Sequence, residues 1–202
     1  MRRQPSAPMV LWIAALITLA LGQPTLARAE PGPAEIEGVS FPGAVRVGDT
    51  PLKLHSVGVL RWYFLKGYVA GLYLGSETPP EDVLENRPKR LELHYFYAIS
   101  RSDFGEAAWK VMSRMLDEPA LEKIRARAER LAGAYQDVEP GDRYALTYLP
   151  GVGTQLTLNG EPKITIPGAD FASAYFGIWL GSDPIDAPLR DQLLAQEWAE
   201  AQ

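Results

Sequence analysis

The sequence predicts an α+β fold in which a large, mainly antiparallel sheet is covered by helices on one face. Two observations carry this. Strand-like segments cluster towards both ends of the chain with helical ones between and after them, and Asn159-Gly160 joins two such segments with a hairpin turn dipeptide. No segment demands a parallel crossover.

The first 29 residues stand apart from the fold. Arg2 and Arg3 form a positive head, Met9 to Leu21 is an apolar run, and Ala27-Arg28-Ala29 is a small-x-small cleavage site, so an export signal is expected to leave a mature chain beginning near Glu30. The run breaks at Gly22 and Pro24, short of the roughly 20 apolar residues of a membrane span. The expected location is the periplasm, and residues 30–202 are expected to form a single domain.

After Pro31-Gly32-Pro33, Ala44 to Val47 and Pro51 to Leu54 flank the turn Gly48-Asp49 as a hairpin. Val57 to Leu74 is almost continuously apolar, with Arg61 and Lys66 its only charges; it reads as two strands or one long bent strand, and the charges argue against a membrane span. Pro79 to Leu84 predicts a helical turn, and Arg90 to Ile99 a strand. A helix opens at Ser100 or Ser102, with Phe104, Ala107, Ala108, Val111, Met112 and Met115 on one apolar face. A second, with Pro119 in its first turn, runs to Tyr135. Strands follow at Arg143 to Leu149, Thr154 to Leu158 and Lys163 to Ile166. Ala169 to Leu180 and Ala187 to Trp198 close the chain as helices, the second capped by Asp186 with Pro188 in its first turn.

Composition excludes several functions. Of 202 residues 47 % are hydrophobic and 22 % charged, a globular balance. The net charge is −5, and removing Arg2, Arg3 and Arg28 leaves 17 basic against 25 acidic residues, a mature charge of −8. With no basic block, nucleic-acid binding is not expected. The absence of cysteine rules out thiol catalysis and Cys-ligated metals, and His55 and His94 lack the spacing of a helical metal pair, so no metal is expected. No GxGxxG, P-loop or G-x-S-x-G motif occurs, and no cofactor is expected.

Six segments together resemble the chalcone isomerase-like family, in its exported bacterial branch: Ile36-Glu37-Gly38-Val39-Ser40-Phe41, Gly58 to Gly75 (GVLRWYFLKGYVAGLYLG), Gly141-Asp142, Leu158-Asn159-Gly160, Ile166 to Phe171 (IPGADF) and Ile178 to Gly181 (IWLG). Their order spans almost the whole mature chain. The resemblance implies an open sandwich with a ligand cleft between sheet and helices. In the family's plant enzymes a chalcone closes to a flavanone at a site of Arg, Thr, Tyr, Asn and a late Ser or Thr. Carried over, the Arg falls on Arg61 and the Thr on Tyr68, whereas Phe104, Val111 and Ile178 replace the Tyr, the Asn and the late hydroxyl. Each lost donor typically costs about 10² to 10³ in rate, so efficient cyclisation is disfavoured.

What remains is a guanidinium, Arg61, expected in a pocket of Tyr68, Phe104, Val111, Met112 and Ile178. Arg can grip a carboxylate through two parallel hydrogen bonds, so the expected function is non-catalytic binding of a fatty acid or similar amphipathic carboxylate. Fatty-acid binding is also what the family's non-catalytic plant branch implies. Two alternatives remain: an isomerase of chalcone isomerase type using Arg61 and Tyr68, and a cell-envelope protein-interaction module. Arg61 could equally serve in a structural ion pair, and Tyr68, Phe104 and Met112 in ordinary core packing. Trp109 fits either a pocket rim or a plain surface position.

Overall fold

The computed structural model describes residues 32–62, 65–76 and 78–195. The leader and the predicted end of the closing helix near Trp198 lie outside those residues. Strands β1 (Ala34–Ile36) and β2 (Val39–Phe41) form a separate hairpin. Strands β3 (Ala44–Val47), β4 (Thr50–Trp62), β5 (Leu65–Leu74), β6 (Lys89–Tyr95), β7 (Arg143–Leu149), β8 (Gly153–Leu158) and β9 (Glu161–Ile166) follow one another in space as in sequence, all antiparallel. The helices are α1 (Arg101–Met115), α2 (Glu118–Ala132), α3 (Ala169–Leu180) and α4 (Ala187–Leu194), with a 3₁₀ turn at Pro80–Asp82. No helix among the described residues is long and apolar enough to cross a membrane.

Local chemistry sets most boundaries as expected. Asn159 and Gly160 both take positive φ (52° and 84°), the backbone a tight hairpin needs, and Asn159 accepts the Arg143 N–H at 2.8 Å. Asp117 caps α2 by accepting the Ala120 N–H at 2.9 Å, and Asp186 caps α4 through Leu189 N–H at 2.7 Å. The apolar stretch 57–74 resolves into two paired strands, β4 and β5. β6 stops at Tyr95, short of Ile99, which makes only an isolated bridge to Val138. The β1–β2 hairpin was not foreseen; Glu37 and Gly38 form its turn, both at positive φ.

Irregular pairing decides which face each β4 residue serves. A register shift between Leu54 and Ser56 reverses the alternation, since one extra residue turns every later side chain over. Leu52 and Leu54 pack with Val39 and Phe41 of the hairpin, as Val57 then does. Ser56 turns to the helices, its hydroxyl donating to the Leu193 carbonyl of α4. On β5, Val69 and Tyr73 face the hairpin while Tyr68, Ala70, Leu72 and Leu74 face the helices. Gly71 admits the hairpin: a Cβ there would lie 2.6 Å from Phe41 Cδ1.

The helical layer is fastened by Arg127 of α2, which grips Asp170 in the first turn of α3 with two 2.8 Å hydrogen bonds. That pair holds the Asp170 carboxyl well below the usual carboxylate range. Lys89 is fully buried, donating to the Glu85 carbonyl at 2.7 Å with its ammonium 4.8 Å from the Tyr148 ring centre. Burial pushes its pKa down to about 8.

Candidate ligand cavity

Where the helices meet the end of the sheet near Tyr68 and Tyr95, the layers leave a cavity of about 190 Å³. Pairing of β5 with β6 sets Tyr68 opposite Tyr95, their rings edge-to-face with centres 5.6 Å apart. Strand β7 adds Tyr144 and Leu146, and β8 adds Leu156. The first half of α1 supplies Phe104, Ala107 and Ala108. Helix α3 presents Tyr175, Ile178 and Trp179 at helical spacing, and Tyr135 closes the wall from the end of the α2 segment, stacked on Phe104 at 4.7 Å.

The polar atoms of this wall are phenols and one indole. Trp179 Nε1–H donates to the Tyr68 hydroxyl at 3.0 Å, Tyr135 and Tyr175 share a 3.1 Å hydrogen bond, and the Tyr144 hydroxyl bonds both backbone groups of Gln136. Burial pushes the Tyr68, Tyr95, Tyr135 and Tyr175 phenols far up, so all four stay neutral at physiological pH. Among the described lining residues the only charge is Asp103, an exposed carboxylate.

An outer groove of about 400 Å³ adjoins this cavity and shares Tyr68 and Ile99 with it. Leu60, Leu65, Gly67 and Tyr97 complete its lining, and Leu65 and Tyr97 are 55 % and 49 % exposed. Together the two spaces reach the size of ordinary small-molecule sites.

Of the six predicted binding residues the structure brings Tyr68, Phe104 and Ile178 together in the cavity. Arg61 is corrected: it lies on the hairpin side of the sheet, half exposed, in an ion pair with Glu37, which also pairs with Lys66. Alternation places it with Val57 and Val59 as expected, but β1–β2 and not the helices cover that face. The two cations hold the Glu37 carboxyl below its ordinary range. The isomerase alternative loses its guanidinium by the same placement.

Val111 and Met112 are also corrected. Both are buried on the core face of α1, about two turns beyond Phe104, and Met112 instead borders a depression between α1 and α2 that shares Ala108 and Tyr175 with the cavity. Trp109 borders that depression too, with the Arg125 guanidinium 4.7 Å from its ring centre. His94 is part-buried beside Phe96, its pKa lowered chiefly by burial.

Sequence reasoning missed Tyr95, Tyr135, Tyr144, Tyr175 and Trp179. Period-2 spacing from Leu91 through Leu93 reaches Tyr95, and Phe171, Tyr175 and Trp179 recur every fourth residue on α3, so the signals for three of the five were present.

No curated protein matches the sequence significantly. Among solved structures, a fatty-acid binding protein of Arabidopsis thaliana shares the fold with a TM-score of 0.62 and 17 % identity, covering 83 % of this chain and 98 % of its own. Residues 33–195 match the family model described as chalcone isomerase-like. With that match over most of its length, and with a seven-stranded antiparallel sheet under a layer of helices, the chain belongs to the chalcone isomerase-like family.

Proposed function

We propose that this protein binds a small apolar or amphipathic molecule without transforming it, and does so in the periplasm once its leader has been removed. The observation that carries the reading is the aromatic cavity of about 190 Å³ continuing into an apolar outer groove. A dry cavity of about 150 Å³ already admits benzene, and the groove gives room for a longer chain. Each buried methylene contributes about 0.8 kcal/mol, so an acyl tail supplies most of the affinity. The similarity in fold to a protein that binds fatty acids supports the same class of ligand. A carboxylate head belongs at the outer groove, in water, because no described residue of the cavity wall supplies a cation to receive it.

Two measurements test this. Organic extraction of the protein purified from its own host is expected to release a stoichiometric apolar compound, and a fluorescent acyl probe is expected to bind saturably, one per chain. An empty extract together with no saturable binding would overturn the reading. Recovery from the periplasmic fraction of a chain starting near Glu30 supports the location; a cytoplasmic, full-length chain contradicts it.

A further inference from the structure

The cavity's hydroxyls are unequally committed. Tyr144 both accepts and donates with Gln136, and Tyr135 and Tyr175 share one hydrogen bond with each other. Tyr68 accepts from Trp179, which leaves its own proton uncommitted. Tyr95 is 3 % exposed and lines the cavity; its backbone pairs with Asp142 and Gly141, but its hydroxyl makes no hydrogen bond with any described residue, and its ring packs edge-on against those of Tyr68, Phe104 and Tyr144.

A hydroxyl that opens on an apolar cavity without a protein partner loses water when a ligand fills the space, a cost that a matching group on the ligand removes. The Tyr95 and Tyr68 hydroxyls both keep an uncommitted proton, so the cavity offers donors to an acceptor on the ligand. The acceptor's charge is set by the rest of the wall. A carboxylate drawn inside would shed its hydration with no cation among the described lining residues in return, and the one charged residue among them, Asp103, has its own sign. An uncharged acceptor loses far less water and gains the same donor.

We propose that the ligand's inserted end is an uncharged hydrogen-bond acceptor, an ester, ketone or amide carbonyl on an otherwise apolar molecule, held by the Tyr95 hydroxyl. The proposal rests on the binding reading above and names the ligand class for that cavity. Arg61 takes no part in it.

Calorimetric titration of the mature chain at pH 8 with methyl octanoate, octanoate and nonane separates charge from hydrogen bonding on one chain length. The ester is expected to bind at least tenfold more tightly than octanoate. Tyr95→Phe is expected to weaken the ester by about five- to tenfold and leave nonane unchanged. The ligand-free variant is expected to melt no lower than the parent, since the hydroxyl has no partner to lose, and this keeps misfolding apart from lost recognition. Octanoate binding as tightly as the ester, or the variant binding the ester undiminished, overturns the proposal and leaves the binding reading standing. Failure of all three compounds to bind overturns both.

Discussion

The two faces of the sheet are built from the same apolar stretch, and they end up doing different work. On the hairpin face Phe41 is fully buried against Gly71, Val69 and Tyr73 are sealed beneath it, and the cations of Arg61 and Lys66 converge on Glu37 at the rim. On the helix face tyrosines surround a void and keep at least two hydroxyl protons uncommitted. Close packing with its charges neutralised is what stability alone selects. Unspent hydrogen-bonding capacity occurs on both faces, since the buried Tyr73 hydroxyl on the hairpin face also lacks a partner; it is the void beside such groups, found on the helix face, that marks the binding side.

The largest expected effect breaks the packed face. Gly71→Val drives a side chain into the Phe41 ring and is expected to cost about 3 kcal/mol in urea denaturation, while the surviving folded protein still binds an acyl probe. Loss of binding with unchanged stability would reverse the assignment of the two faces.

A smaller effect loosens the helix layer. Asp170→Asn removes the charge that pairs α2 with α3 and, because that carboxylate is partly exposed, is expected to cost about 1 kcal/mol. The folded carboxyl titrates below its unfolded value, so the contribution is complete above the unfolded pKa near ~4 and fades as pH falls further. Parent and variant are therefore expected to converge in stability under acid; a gap that widens there would contradict the pairing.

Smallest of all, Arg61→Ala is expected to leave both acyl-probe affinity and its preference for chain length unchanged, because the guanidinium is spent on Glu37 at the surface. A selective loss of carboxylate binding in that variant would bring Arg61 back to the ligand.

The contrast between faces also explains which parts of the molecule the sequence could reveal. Turn dipeptides and caps act locally, so Asn159-Gly160, Asp186 and Pro188 mark their elements in the sequence itself. Alternation put Arg61 beside Val57 and Val59, yet alternation names no face; that was settled by three-residue strands at 34–41, too short to show a period. The core face of α1 was legible as far as Val111 and Met112, but only its first half meets the void, because how far a cavity extends depends on packing from β7, β8 and α3. Family motifs located Tyr68 and Ile178 and misdirected Arg61, whose surroundings include a hairpin that motif spacing does not describe.

The most direct test is an NMR measurement of nuclear Overhauser contacts between methyl octanoate and the aromatic rings of the protein. Contacts to Tyr68, Tyr95 and Phe104, with none to Phe41 or Phe96, are the expected result. Contacts confined to the hairpin-face rings would contradict the account.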